Sequence, residues 1–215
     1  MLFDLETWLA EAPPSPPIVQ AGATVLRHRA LEVGPTLLST PALSLLIEIM
    51  IQAMRAAPGV GLAAPQLGVP LRVFVAEDDE ERLARLSEDA RALKRRVALP
   101  LTVLVNPRVS AISSDEAIFY EGCLSVRGYG ALVARAAAVS VTGTDGVGNA
   151  VSMNFDGWPA RIMQHEMDHL DGTLYVDRML TRSLAADDEL ARLSALPVSD
   201  VMKELDIARA RNEPT

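Results

Sequence analysis

Residues 164–169 read QHEMDH and contain the pattern H-E-x-x-H, with histidines at positions 165 and 169. Residues four apart lie on one face of an α-helix, so the imidazoles of His165 and His169 can reach the same metal ion. Glu166 directly follows the first histidine, where its carboxylate can take a proton from water. The stretch therefore predicts a helix that carries two metal ligands and a general base.

The flanking residues favour a buried helix. Pro159 suits a first helical turn, and Gly172 suits the helix end. Apolar residues recur between them at 162, 163, 167 and 170, so much of the helix should be buried. A single short motif is only a moderate signal for a metal site, and the decision rests on the remainder of the chain.

The composition is that of a soluble globular protein, with 49% hydrophobic and 22% charged residues in a chain of 215. A net charge of −8 argues against a basic surface that binds nucleic acid, and no apolar run is long enough to cross a membrane. Asp4 and Glu6 interrupt any secretory signal at the N-terminus. Cys123 is the only cysteine, which excludes an internal disulfide and predicts a cytoplasmic location.

Three segments follow from the composition along the chain. Residues 1–20 form an N-terminal arm with a proline-rich link, 21–182 the catalytic domain, and 183–215 a helical extension. Within the catalytic domain, 77–98 is a charged insertion that we expect to be exposed and remote from the chemistry.

Local patterns predict both helices and strands. Thr40 and Pro41 are typical of a helix start, and an apolar stripe follows them. Asn106 and Pro107 should end one strand, and 145–149 should form a hairpin turn. The strands are expected at 71–75, 101–105, 116–121, 131–135, 137–143, 150–155 and 174–176.

A catalytic metal of this type needs three protein ligands and one open position. Tyr175 stands where some H-E-x-x-H proteases place a third histidine, but phenol is a poor ligand at neutral pH. Glu189 lies in an acidic run that is typical of a solvated surface. Cys123 follows Gly122, which allows a close approach of the backbone, and a thiolate is the strongest ligand of these candidates.

Three segments together resemble the signature motifs of peptide deformylases. They read GVGLAAPQ at 59–66, EGCLS at 121–125 and QHEMDH at 164–169, and their order and spacing also match. The resemblance implies an α+β fold in which mostly antiparallel sheets pack around the central H-E-x-x-H helix. It also implies a hydrolase that removes the formyl group from the N-terminal formyl-methionine of newly made polypeptides and releases formate.

The resemblance assigns roles to individual residues. It implies one divalent ion held by Cys123, His165 and His169, natively Fe²⁺ in many members, with Zn²⁺, Ni²⁺ or Co²⁺ as alternatives. Glu166 would carry the proton, and the Gln66 side chain with the Leu124 backbone N–H would stabilise the oxyanion. The expected substrate-binding residues are Val60, Gly61, Gly122, Ile162 and Met163.

Two positions depart from the usual family pattern. Arg127 stands where many members have proline, and Gly130 stands where many have a larger residue, often an arginine near the peptide. Arg135 matches a common family arginine, and we expect it to pair with Glu121.

Two alternatives to this function stay open at this point, a metalloprotease and a catalytically altered relative. The expected partner is the formylated nascent polypeptide, close to the ribosome, without direct nucleic-acid or membrane contact.

Overall fold

The computed structural model describes residues 3–112 and 114–207. The helices are α1 (Leu5–Glu11), α2 (Pro41–Ala56), α3 (Glu80–Ala84), α4 (Glu88–Leu93), α5 (Gly157–Leu170), α6 (Asp187–Ser194) and α7 (Val198–Glu204). The strands are β1 (Gly61–Ala63), β2 (Val73–Asp78), β3 (Leu99–Ala111), β4 (Glu116–Cys123), β5 (Val126–Ala136), β6 (Ala138–Thr144), β7 (Ala150–Asp156) and β8 (Ala185–Ala186). Residues 208–215 of the expected C-terminal extension lie outside the described part.

Two antiparallel sheets surround the central helix α5. The larger sheet has the strand order β1-β2-β3-β6-β7, and the smaller has β4-β5-β8. Helix α5 contacts strands of both sheets. The predicted α+β fold with a central H-E-x-x-H helix is therefore confirmed.

Helix α2 begins where the sequence predicts. The Thr40 hydroxyl accepts a hydrogen bond from the Leu43 N–H at 3.2 Å, and Pro41 occupies the first turn. Its apolar stripe is buried against β1 and β2, and Phe3 and Trp8 of the N-terminal arm pack on the same core. The arm is thereby anchored to the body of the protein.

The prediction that Asn106 and Pro107 end a strand is wrong. Strand β3 continues through both residues to Ala111, with a register shift between Val105 and Arg108. Asn106 has a φ of 51°, and its side-chain amide bonds the backbone N–H and C=O of Val33 at 2.8 and 2.9 Å. The bulge accommodates proline because the ladder is interrupted there.

The prediction of a strand at 174–176 is also wrong. Tyr175–Asp177 form a 3₁₀ turn instead. The Asp177 carboxylate accepts a hydrogen bond from the Leu174 N–H at 2.8 Å, which satisfies the first donor of the turn.

Candidate active site

Helix α5 carries the two histidines of the H-E-x-x-H motif beside strand β4 and Glu166 beside β1. Pro159 lies in its first turn, and Gly172, with a φ of 75°, follows its end. The rings of His165 and His169 have centroids 5.1 Å apart. The predicted helix and its end are thus confirmed.

Cys123 ends strand β4 beside these histidines. Its Sγ lies 3.2 Å from Nε2 of His169, and the ligand atoms of Cys123, His165 and His169 all lie within 4.8 Å of one another. In the described chain, Nδ1 of His169 is buried without a hydrogen-bond partner. One thiolate and two imidazoles in this arrangement fit a catalytic metal with an open position.

The other two ligand candidates have different partners. Glu189 is exposed and pairs with Arg192 at 2.9 Å. The buried Tyr175 donates its hydroxyl to the Tyr129 carbonyl at 2.9 Å, and its ring stacks on His165. Neither side chain joins the Cys-His-His group.

A buried ion-pair network orients His165. Its Nδ1 lies 2.9 Å from Oε2 of Glu121, and Arg135 donates two hydrogen bonds to the same carboxylate. Arg161 donates a further hydrogen bond to Glu121. Burial acts to raise the pKa of Glu121, but the hydrogen bonds from Arg135 and His165 hold it well below its ordinary value. The anionic carboxylate fixes Nδ1 as the protonated nitrogen of His165 and leaves Nε2 for a metal.

Glu166 is buried, and its Oε2 has no hydrogen-bond partner among the described residues. Burial raises the pKa of its carboxyl to about 7. The carboxyl lies against Gly61 of β1, where an added Cβ would stand 2.6 Å from the Glu166 Cδ. Glycine at this position leaves the space that the carboxyl occupies.

Gln66 is held with its amide N–H₂ group turned toward Cys123. Its Oε1 accepts a hydrogen bond from the Ala63 N–H at 2.8 Å, and its Nε2 lies 3.2 Å from Ser125 Oγ and 3.7 Å from Cys123 Sγ. These contacts fix which end of the amide points into the site.

Comparison with known proteins decides the family. The profile described as polypeptide deformylase matches residues 15–184. Peptide deformylase 3 of Streptomyces avermitilis is 50% identical over 81% of this chain and 76% of its own length. Peptide deformylase 1 of Streptomyces coelicolor is 48% identical over 84% of this chain and 81% of its own.

The chain belongs to the peptide deformylase family. It is a hydrolase of this type, and it removes the N-formyl group from the N-terminal formyl-methionine of newly made polypeptides. A class I type b peptide deformylase from Acinetobacter baumannii, bound to Met-Ala-Ser, superposes with a TM-score of 0.68 at 34% identity, covering 76% of this chain and 97% of that one. The family is metal-dependent, and the Cys-His-His group supplies suitable ligands here.

A cavity of about 310 Å³ opens beside the Cys-His-His group of this deformylase. Its wall contains His165 and Glu166, together with five more of the residues expected from the sequence, Val60, Gly61, Gly122, Leu124 and Ile162. Met163 is the exception among the expected substrate-binding residues. Adjacent helical residues point about 100° apart, and Met163 is fully buried in the core around α5. Met163 does not line this cavity, and its assignment as a substrate-binding residue stays a prediction.

The wall also contains residues to which the sequence assigned no role in substrate binding, among them Arg96, Tyr120, Trp158 and Arg161. Trp158 and Arg161 precede His165 by seven and four positions, so helical spacing already places them on its face. No local pattern marked Arg96 or Tyr120.

The charged segment 77–98 reaches this cavity through Arg96. Its guanidinium donates two hydrogen bonds, at 2.7 and 2.9 Å, to the fully buried carboxylate of Asp78, and it lies 5.3 Å from the Trp158 ring centre. Asp78 is the last residue of β2 and is fully buried, so the start of the segment 77–98 is not exposed there. The expectation that this segment is remote from the site is therefore wrong for Arg96.

The two departures from the deformylase pattern have different surroundings. Arg127 is exposed. Gly130 is buried under helix α6, where an added Cβ would stand 2.6 Å from Leu190 Cδ2 and 2.9 Å from the Glu121 carbonyl oxygen. Helix α6 occupies the space that a larger side chain would need.

Proposed function

We propose that Cys123, His165 and His169 hold a single divalent cation, natively Fe²⁺, with Zn²⁺, Ni²⁺ or Co²⁺ as substitutes. The observation that carries this proposal is the approach of one sulfur and two imidazole nitrogens within 4.8 Å, beside a buried carboxyl at the cavity wall. When bound, the cation would supply Lewis acidity and lower the pKa of water.

Glu166 is the proposed proton carrier. Its carboxylate would accept a proton from the attacking water and later deliver it to the amine that leaves. Its burial and the absence of a described partner for Oε2 support this role. A pKa near 7 suits transfer in both directions, and a neighbouring cation would favour the ionised form.

Gln66 and Leu124 are the proposed donors to the oxyanion that forms on the formyl oxygen. The Gln66 Nε2 group already points toward Cys123, and Leu124 directly follows Cys123. Loss of one such donor typically raises the barrier by about 3–4 kcal/mol. Both donors therefore contribute to kcat more than to peptide affinity.

The substrate peptide is proposed to add as a strand to β1. That strand is the edge of the larger sheet, so Gly61 can offer backbone groups to an extended peptide, with Val60 and Gly122 in the cavity wall. The Val60 carbonyl already accepts a hydrogen bond from the Glu77 N–H at 2.9 Å. The methionine side chain would enter the cavity at Leu124 and Ile162. The Met-Ala-Ser bound by the Acinetobacter protein is a peptide of the kind that deformylation releases.

Formyl selectivity is proposed to follow from the close packing at Gly61. The Glu166 carboxyl lies directly against this glycine, so little room remains around the reacting carbon. A formyl group carries only hydrogen where an acetyl group carries a methyl. Acetylated peptides should consequently be poor substrates.

Formate release from a formyl-Met-Ala-Ser peptide, measured on anaerobically purified protein with metal analysis, tests this proposal. His165→Ala and His169→Ala should each abolish metal binding and turnover. His28→Ala is the matched control, because His28 is exposed and bonds only the Thr24 carbonyl among the described contacts. Cleavage of an internal bond in a blocked peptide, without formate, would instead indicate a protease.

We further propose that the enzyme works in the cytoplasm near the ribosome, where its substrate emerges. None of the described helices is long and apolar enough to cross a membrane. Its net charge of −8 disfavours direct contact with RNA. Fractionation of source cells, followed by ribosome sedimentation at low salt, tests both statements.

A further inference from the structure

Residues 18–21 cross between the two loops that carry the proposed oxyanion donors. The Val19 N–H donates to the Gln66 carbonyl at 2.9 Å, and the Ala21 N–H donates to the Ser125 carbonyl at 2.7 Å. One short segment is therefore hydrogen-bonded to both the Gln66 loop and the cysteine loop.

Gln20, between these two donors, strengthens the link with its side chain. Its Nε2 donates to the Leu124 carbonyl and to the Ile18 carbonyl, both at 3.0 Å. The first bond holds Leu124 at its carbonyl end, while the N–H of the same residue is the proposed oxyanion donor. Gln20 is half-buried and does not belong to the cavity wall.

The backbone directly before residues 18–21 is restricted by two prolines. Pro16 is buried and is followed by Pro17, and proline restricts both its own φ and the residue before it. The backbone that leads to Gln20 thus has few conformations available, which favours a fixed position for its amide.

We propose that Gln20 is a positioning residue that sets the separation between the Gln66 side chain and the Leu124 N–H. This inference rests on the proposed roles of Gln66 and Leu124. Donors must lie about 2.7–3.1 Å from the place where the oxyanion forms, and a displacement of about 1 Å can lower the rate about 100-fold. Because residues 18–21 are hydrogen-bonded to both loops, they restrict such displacements without lining the substrate cavity.

Gln20→Met tests the inference, because methionine retains length and apolar contacts but cannot donate to the Leu124 carbonyl. We expect kcat for a formyl-Met peptide to fall about tenfold or more, while KM, metal content and the affinity for Met-Ala-Ser stay within about twofold. Gln20→Lys, which restores a donor of similar reach, should recover most of kcat. Gln52→Met, on the exposed face of α2, is the matched control and should leave all four quantities unchanged.

Hydrogen exchange gives a readout that does not depend on turnover. In Gln20→Met the amides of 122–126 should exchange faster than in Gln52→Met, with exchange in α5 unchanged. If Gln20→Met left kcat unchanged while the parent enzyme is active, the inference about Gln20 would be wrong and the proposed function would stand. A parallel loss of kcat, metal and melting temperature would also overturn it, because that pattern marks a general structural role. Absence of formate release from the parent protein would instead refute the proposed function.

Discussion

Arg135 and Glu121 form a bidentate ion pair in which both hydrogen bonds measure 2.9 Å and both side chains are 4% exposed. The pair joins neighbouring strands β4 and β5, and the same Glu121 carboxylate contacts Nδ1 of His165. Arg135 also bonds Asp168 on helix α5. One guanidinium thus connects the strand that ends in Cys123 with the helix that carries the two histidines.

Arg135→Met should lower both stability and metal affinity. Removal of one partner leaves a buried carboxylate without its main compensating charge, which typically costs about 3–5 kcal/mol in unfolding free energy. The looser Glu121 would orient His165 less well, and loss of such support typically lowers metal affinity about 10- to 100-fold. Chemical denaturation and competitive metal titration measure the two effects.

Arg178→Met is the control for that experiment. Arg178 also bonds Asp168, but its side chain is 51% exposed, so its loss should cost less than about 1 kcal/mol. If Arg135→Met matched this control in both measurements, the buried network would have no role in holding the site.

Glu166→Gln should abolish turnover while retaining the metal. The substitution keeps the shape of the side chain but removes the proton acceptor, and loss of a general base typically lowers kcat about 100- to 10,000-fold. Because Glu166 Oε2 is buried without a described partner, the neutral amide should not lower the melting temperature of the metal-free protein.

Glu48→Gln on the exposed face of α2 controls for the loss of one negative charge. Metal content by mass spectrometry and formate release are the measurements. Retention of most of the turnover in Glu166→Gln would assign the proton transfer to another group.

Gly61→Ala should inactivate the enzyme by displacing Glu166. The added methyl would stand 2.6 Å from Glu166 Cδ and closer still to its Oε1, so the carboxyl must move out of the site. We expect kcat to fall about 100-fold, with metal content unchanged because β1 contributes no ligand. Gly34→Ala is the matched control, since a Cβ there meets no atom within 4 Å.

Local rules predicted the central helix and its ligands because helical spacing alone places His165 and His169 together. The same spacing places Trp158 and Arg161 on the face of His165, although the sequence assigned neither residue a role in substrate binding. Both Ile162 and Met163 belong to the core around α5, but only Ile162 also lines the cavity. Apolar character alone therefore does not tell which residues of α5 line the cavity, because the direction of each side chain around the helix also matters.

Contacts distant in sequence explain what the local rules missed. Arg96 reaches the cavity because a buried ion pair ties it to Asp78, and no pattern within 77–98 reveals that pairing. Strand β3 passes Pro107 because Asn106 adopts a left-handed conformation that Val33 supports through two hydrogen bonds. Such tertiary partners override local propensity.

Gly130→Arg, which restores a side chain common in the family, should destabilise this protein. The first added atom would stand 2.6 Å from Leu190 Cδ2 and 2.9 Å from the Glu121 carbonyl oxygen, so helix α6 must shift. Overpacking of this kind typically costs about 1–3 kcal/mol, and each kcal/mol lowers the melting temperature of a chain this long by about 2–4 °C.

Leu190→Ala tests the cause of that destabilisation. It removes the side chain that Gly130→Arg would meet first, so the double variant should be more stable than the sum of the single effects predicts. Gly34→Arg, in open space, should leave the melting temperature within about 1 °C of the parent, as for a neutral surface substitution. If the effects of Gly130→Arg and Leu190→Ala on the melting temperature were strictly additive, the clash would lie elsewhere. Helix α6 would then not be the reason for glycine at position 130.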